Sequence, residues 1–313
     1  MRRFLALSRS AALEALAEPL SAILFLVALL TIHLAPVFHY HQFGEAGRLA
    51  RECGFSALLV FGMTMATAAA VRSVGGEIAS GTAAAALSRP VSRPLFFCAK
   101  VAGVAAFFGL FFLAVAAATL LAVLASELGA GMGDCCEGHE ASRIWMPGLV
   151  AGVCSTLGAF IMAALANRLF RARFCVGACL QMAVAQPLGL LAALPFGHGG
   201  FAAVAGALPL RLLPALAVLA CGCVVLIAFA GALSVRLKPA PTAALVFAAV
   251  LSAFVWPVRA VLPAIGRFWM VDSLAGGGAV APAEVWTAVA AAVCLTVFWL
   301  VAGSALLQGR ELP

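Results

Sequence analysis

Long apolar runs separated by short polar stretches cover most of this 313-residue chain. A run of roughly 20 apolar residues is long enough for one helix across a bilayer core about 30 Å thick. Eight such runs are present, at residues 20–38, 53–71, 95–125, 148–167, 174–195, 206–235, 242–262 and 284–306. The pattern therefore predicts an all-α fold, a polytopic membrane helix bundle with about eight transmembrane helices.

The sixth run is irregular, and it leaves six full spans with shorter pieces as the alternative to eight. Residues 201–235 are too many for one straight span, and they include Pro209, Arg211 and Pro214. Prolines and an arginine are poorly tolerated where a helix faces lipid. We therefore expect the first part of this run to be re-entrant or interfacial. Arg211 is the candidate residue for lining a transport pathway.

Composition agrees with a membrane location. The chain is 65% hydrophobic and 10% charged, against roughly 45–50% and 25% in a soluble domain, and its mean hydropathy is +1.13. A net charge of +7 would suit nucleic acid, but the basic residues lie in short loops at span ends, which is typical of orientation signals. We expect no nucleic-acid partner. No linker marks a boundary, so residues 1–313 are expected to form one membrane domain.

The positive charges predict that both termini are cytoplasmic, because loops on the cytoplasmic side carry an excess of Lys and Arg. In that orientation the inner side holds 13 of the 19 basic residues: Arg2, Arg3, Arg9, Arg72, Arg89, Arg93, Lys100, Arg168, Arg171, Arg173, Arg236, Lys238 and Arg310. The other six are outside: Arg48, Arg51, Arg143, Arg211, Arg259 and Arg267. Residues 72–94 are then cytoplasmic, and residues 126–146 and 263–283 are external.

Residues 1–18 precede the first apolar run and are predicted to form a short amphipathic helix in the cytoplasmic interface. Four apolar side chains recur there at roughly helical spacing: Phe4, Leu7, Leu13 and Leu16. Glu14 and Glu18 argue against a cleaved signal peptide, since the residues before its apolar core are normally basic. A frayed tail is the alternative.

Residues 77–100 form the only long stretch between two strongly apolar runs in which polar residues recur among apolar ones. It begins with Glu77 and contains four consecutive alanines, the residue with the highest helix propensity. Arg89 precedes Pro90, and a residue before proline is disfavoured in helical conformation. The sequence therefore predicts a helix of about three turns over residues 77–88, ending at this Arg-Pro pair.

The order of residues in this stretch resembles the cytoplasmic signature of ABC-2 type transporter permeases, including the NosY-like group. In that family a Glu is followed by Gly-Thr, a short helix, Pro-x-Ser-Arg, and a Lys that opens the next span. The matching positions here are Glu77, Gly81, Thr82, Pro90, Ser92, Arg93 and Lys100. This chain departs from the family in having Gly75-Gly76 before the Glu and Ile78-Ala79 after it, where charged residues are common.

The resemblance implies that this chain is the permease subunit of an exporter in a bacterial cytoplasmic (inner) membrane. It implies a pair of ABC ATPase subunits, which bind ATP and Mg, and a second permease that is either another copy or a paralogue. The chain itself would bind no cofactor and perform no covalent chemistry. Residues 72–94 would be the coupling segment, with Ala85 and Leu87 on the short helix that docks on the ATPase and Arg89 directly after that helix.

The same residues allow other interpretations. Residues 72–94 could be an interfacial loop whose arginines bind lipid phosphates. The Gly81-Thr82 pair lacks the lysine of a phosphate-binding loop, so nucleotide hydrolysis by this chain is not expected. An ion-coupled secondary transporter is disfavoured because the acids Glu127 and Glu284 lie at span ends. A membrane-embedded enzyme is disfavoured because common hydrolase signatures are absent.

Most of the ten cysteines lie within or beside spans, where cysteine acts as a small apolar residue. Cys135 and Cys136 differ, because they lie in an outer loop with His139 and several acids. Thiolates and an imidazole at this spacing are candidate metal ligands, and a disulfide or no role are the alternatives. All five histidines are expected on or near the outer side, and His39-Tyr40-His41 at the end of the first span is typical of the interface, with metal handling as the alternative.

Overall fold

The computed structural model describes residues 1–41, 45–88, 91–132, 144–196, 200–255 and 267–310. These residues form helices and no strand, which confirms the all-α prediction. The helices are α1 (Arg2–Ala17), α2 (Pro19–Leu34), α3 (Arg48–Ala70), α4 (Glu77–Ala79), α5 (Thr82–Leu87), α6 (Arg93–Met132), α7 (Met146–Phe170), α8 (Phe174–Ala193), α9 (Gly200–Gly206), α10 (Leu212–Ser234), α11 (Pro239–Val255) and α12 (Pro282–Gln308).

Seven helical stretches in the described residues are long and apolar enough to cross a membrane. They contain α2, α3 together with α4, α6, α7, α8, α10 and α12. Helix α11 corresponds to the predicted span at residues 242–262, but it has only 17 residues. The predicted span continues through residues 256–262, which lie outside the described part of the chain. The molecule is a multi-pass helical membrane bundle.

Polar contacts place both chain termini at one end of the bundle, here called the terminal end. Arg93, at the start of α6, donates to the carbonyl oxygen of Gln308 at the end of α12, at 2.8 Å. Arg72, which follows α3, forms an ion pair with Glu18 between α1 and α2. The described residues of the predicted cytoplasmic segment 72–94 therefore share this end with both termini.

The opposite end, here called the distal end, is held by two other arginines. Arg51 near the start of α3 donates to the carbonyl oxygen of Leu274 at 3.1 Å. Arg211 at the start of α10 pairs with Glu127 near the end of α6 at 2.8 Å. The chain leaves α10 at the terminal end, and Leu274 lies at the distal end. The described residues contain seven candidate spans, and the eighth predicted span stays a prediction.

The predicted irregularity before α10 is confirmed. The short helix α9 is separated from α10 by Pro209, which has no N–H to continue a helical ladder. At the distal end, Val204 of α9 joins a small buried cluster with Leu124 and Trp145. Arg211 is the residue immediately before α10 and does not interrupt it.

Helix α1 confirms the predicted N-terminal helix, and it packs closely on α6. Ala11 and Ala15 are buried, whereas Leu13 keeps 37% of its surface exposed. Gly103 of α6 lies directly against α1, where a Cβ atom would collide with the carbonyl oxygen of Ser8. Small residues at the contact let the two backbones approach closely, a common device in membrane bundles.

The predicted three-turn helix over residues 77–88 is wrong, because it is two helices. After α3 the chain makes a π-helical turn, Val71–Gly76, then the short α4, and then a break before α5. The break is at Gly81, whose φ of +74° lies in the left-handed region that only glycine adopts readily. The Thr82 hydroxyl donates to the carbonyl oxygen of Glu77 at 3.2 Å. It thereby provides a hydrogen bond for one of the carbonyl groups that the end of α4 leaves without a helical partner.

Candidate coupling site

Helix α5 presents two different faces at the terminal end. Ala83 is fully buried against the bundle. Thr82 and Ala85 are exposed, and Leu87 is half-buried. The exposed face therefore carries small side chains, which let the backbone of another protein approach the helix closely.

Lys100 is buried two turns inside α6 and is the centre of an ionic cluster. Only 2% of its side chain is exposed, and its ammonium forms an ion pair with the Glu77 carboxylate. Glu14 of α1 lies 3.8 Å from the Lys100 Nζ, and the Phe96 ring centroid lies 5.9 Å from it. A buried ammonium is tolerated only when it is paired. The cluster therefore attaches α4, and with it the start of the candidate coupling segment, to α6.

Glu14 extends this cluster to the N-terminal helix. Burial raises the pKa of Glu14 above its usual value, Lys100 opposes the rise, and the Glu77 carboxylate adds to it. A neighbouring carboxylate disfavours the ionised form of a carboxyl group, whereas a neighbouring ammonium favours it. Three segments that are distant in sequence, α1, α4 and α6, thus meet at one charged position.

The remaining residues predicted for the coupling segment have different surroundings. Arg93 donates to the carbonyl oxygens of Gln308 and Arg310 at 2.8 and 3.0 Å, so its charge faces the C-terminal end of α12, where a cation is favourable. Ser92 is exposed. Arg89 and Pro90 lie outside the described residues.

Two other predicted sites are not joined to this cluster. Arg211 is at the distal end, where its guanidinium pairs with Glu127 and keeps 37% of its side chain exposed. Its role in a pathway stays a prediction. Cys135, Cys136 and His139 lie outside the described residues, and the part of the chain that is described contains no group of three or more metal-ligating side chains.

A second buried polar cluster joins α2, α7 and α8 toward the distal end. The His33 Nε2 donates to the Gln186 side-chain oxygen at 2.7 Å, and the Gln186 amide donates to the Thr156 hydroxyl at 2.9 Å. Thr156 in turn donates to the carbonyl oxygen of Gly152 at 3.0 Å. His33, Gln186 and Thr156 are all buried. His33 therefore lies buried between helices.

Sequence reasoning missed this cluster, although a signal was present. Gln186 lies within an apolar run, and a polar amide in a span usually bonds to another helix. Gly152 provides the space, because a Cβ atom there would collide with the His33 ring. The partner on α2 is 153 positions away from Gln186, and no local pattern connects such positions.

We expect Gln186→Leu to lower the free energy of unfolding by about 1–2 kcal/mol, the upper range for interhelical hydrogen bonds in membranes. The change leaves the His33 N–H without its acceptor. Gln181→Leu is the matched control on the same helix, because the Gln181 side-chain oxygen is buried without a partner among the described residues. Unfolding in mixed micelles measures both. Equal destabilisation by the two substitutions would contradict a special role for the cluster.

The site is thus a short exposed helix held by a buried ion pair at the end of the bundle that carries both termini. Its residues also carry the sequence resemblance described above. Comparison of the chain with known protein families, with curated proteins and with solved structures finds no match.

Proposed function

We propose that this chain is the membrane permease subunit of an ABC-2 type transporter that exports its substrate. The observation that carries the proposal is the exposed, alanine-rich α5, which lies at the same end as both termini and is joined to α6 through Glu77 and Lys100. The resemblance of residues 77–100 supports it independently, since it rests on residue order alone.

In this proposal, α5 docks on an ATPase subunit and moves with it. The short α4 and its ion pair pass the displacement to α6, while the π-helical turn passes it to α3. Helices α1 and α6 are in close contact at Gly103, so α1 follows the movement of α6. Rigid elements with tight contacts transmit displacement better than flexible loops do.

The partners in this proposal are a pair of ABC ATPase subunits, which bind ATP and Mg, and a second copy of the chain or a paralogous permease. The location is a bacterial cytoplasmic membrane with both termini inside, which the basic residues at the terminal end support. Helix α12 leaves an apolar face open to lipid or to the second permease: Trp286, Val293, Val297 and Val301.

A proton-coupled secondary transporter is the second candidate, and His33 is the observation that favours it. An ionisable side chain within a membrane bundle is often functional. His33 is hydrogen-bonded to Gln186, which is in turn hydrogen-bonded to Thr156. These bonds explain why the His33 side chain is buried, and no role in proton transfer is needed to explain it. The acids in the described residues lie toward the ends of the bundle, which favours the ATP-driven alternative.

We expect Ala85→Trp to reduce recovery of the ATPase with the tagged chain at least tenfold, because a bulky ring blocks the exposed face of α5. Tenfold corresponds to about 1.4 kcal/mol of binding free energy. The measurement is co-purification from membranes of the native cells, with the ATPase identified by mass spectrometry. A substitution on an exposed alanine leaves the packing of the bundle unchanged.

The matched control is Ala172→Trp. Ala172 is also exposed at the terminal end, in the turn between α7 and α8. Its substitution should leave recovery of the ATPase unchanged. Full recovery with the Ala85→Trp protein, at wild-type ATP turnover, would refute docking through α5. Recovery of no ABC ATPase with the wild-type chain would refute the permease assignment itself.

A further inference from the structure

A cleft at the terminal end lies between α1, α2 and the end of α3. Its cavity volume is about 80 Å³, and the cleft is partly open to solvent. Glu14, Glu18, Arg72 and Ser73 form its polar wall, and Ala69 belongs to its apolar floor. The cleft is separate from the exposed face of α5, so its use does not depend on the transporter assignment.

Ser73 gives the first indication that the cleft takes a ligand. Only 2% of the residue is exposed, and its hydroxyl has no hydrogen-bond partner among the described residues. Buried hydroxyl groups are nearly always paired, so an unpaired one in the wall of a cleft is the exception that needs a reason. An acceptor atom of a bound molecule would give the Ser73 hydroxyl its missing hydrogen bond.

The charges of the wall indicate the kind of ligand. Glu14 and Glu18 are about one helical turn apart, and Arg72 forms an ion pair with Glu18. The Arg72 side chain keeps 55% of its surface exposed, and a guanidinium has five N–H donors, so it retains donors for a second anion. Two carboxylates face one guanidinium in the wall, and Lys100, which pairs with Glu77, also lies 3.8 Å from the Glu14 carboxylate. The wall therefore suits a cation and an anion side by side.

We propose that the cleft binds a phosphoethanolamine group, the headgroup of phosphatidylethanolamine. The primary ammonium donates to the carboxylates of Glu14 and Glu18. The phosphate accepts hydrogen bonds from Arg72 and from the Ser73 hydroxyl. Each charge of the headgroup thus lies beside an opposite charge of the wall. The phosphate also gives the buried Ser73 hydroxyl a hydrogen-bond acceptor.

The membrane is the source of this headgroup. Leu20 borders the cleft and is 38% exposed. Ile23 and Val27 continue from it along one face of α2, with 57% and 41% of their surfaces exposed. Residues three and seven positions apart lie on the same side of a helix. An acyl chain attached to the headgroup therefore has an apolar track that begins at the cleft.

The test is the thermal unfolding of the purified full chain in detergent, titrated with dioleoylphosphatidylethanolamine. We expect this lipid to stabilise the chain at concentrations at least tenfold lower than the phosphatidylcholine or phosphatidylglycerol analogues require. Phosphatidylcholine has no N–H to donate to the carboxylates, and phosphatidylglycerol has no ammonium. Soluble glycerophosphoethanolamine should act only at far higher concentration, because it lacks the acyl chains.

Two substitutions connect the selectivity to the cleft. Glu18→Gln should weaken the effect of phosphatidylethanolamine about tenfold, and Ser73→Ala about threefold, as expected for a charged and a neutral hydrogen bond. Ser73→Ala should leave the lipid-free protein as stable as the wild type, because the hydroxyl makes no bond there. The matched controls are Glu52→Gln, from the Arg48 ion pair at the distal end, and Ser56→Ala, an exposed serine on α3.

The outcomes separate the possibilities. Equal stabilisation by phosphatidylethanolamine and phosphatidylcholine would overturn the proposal, as would a control substitution that acts as strongly as Glu18→Gln. A soluble headgroup compound that binds as well as the lipid would preserve the headgroup chemistry and overturn the membrane as its source. Loss of selectivity in both cleft variants, with the controls unchanged, supports the site.

Discussion

Replacing Glu77 by glutamine, or Lys100 by methionine, is expected to lower the free energy of unfolding by about 3–5 kcal/mol. Each substitution removes one partner of a pair in which Lys100 is 2% and Glu77 is 21% exposed. In the glutamine variant the buried ammonium has only Glu14 left, at 3.8 Å. In the methionine variant the Glu77 carboxylate loses its counter-ion, and its partial exposure places the cost at the lower end of the range.

The double variant Glu77→Gln/Lys100→Met distinguishes this effect from lost packing. With both charges removed, only the half-exposed Glu14 loses a counter-ion, so the double variant should be more stable than either single one. Reversible unfolding in mixed micelles of the four proteins gives the coupling free energy. Additive costs of the two single substitutions would show that the ion pair is not what holds α4 to α6.

Gly103→Ala is expected to destabilise the chain by about 1–3 kcal/mol and to release α1 from α6. The added Cβ meets the carbonyl oxygen of Ser8 and lies 2.7 Å from the Ala11 Cβ. A backbone oxygen cannot rotate away as a side chain does, so the two helices have to separate. Limited trypsin digestion measures the release, because Arg9 is already exposed on α1 and its peptide bond is cleaved faster once the detached helix can unfold.

Gly109→Ala provides the matched control on the same helix. No atom lies within 4 Å of a Cβ placed at Gly109. Alanine has a higher helix propensity than glycine, so this change should be neutral or stabilising by up to about 1 kcal/mol. If the Gly103 and Gly109 variants unfold and are digested alike, the close contact between α1 and α6 is not required for the position of α1.

The sequence was sufficient for the bundle and for the break before α10. A span requires only a long enough apolar run, and this requirement is local. The irregular run was predicted from Pro209 and Pro214, because a proline disturbs the helix in which it lies. Local chemistry of this kind needs no knowledge of which helices are neighbours.

The coupling segment was predicted less well, for physical reasons that can be named. Four alanines favour one helix, but the left-handed conformation of Gly81 depends on how the chain packs and divides that helix. As a carboxylate at a helix start, Glu77 suggests a reversal cost of only about 0.3–1 kcal/mol. The ion pair between Glu77 and buried Lys100 raises the expected cost of reversing the charge at Glu77. This pair joins α4 to α6, and the sequence does not reveal that these two helices are in contact.

The π-helical turn at Val71–Gly76 shifts the angular phase of the chain by one position. Each residue of an α-helix turns the chain by about 100°, and a π turn contains an extra residue. The acid that follows this turn forms the ion pair with buried Lys100 of α6. Relatives without this turn can be aligned correctly only with a one-residue gap before the acid, and a gapless alignment would pair it with the wrong position.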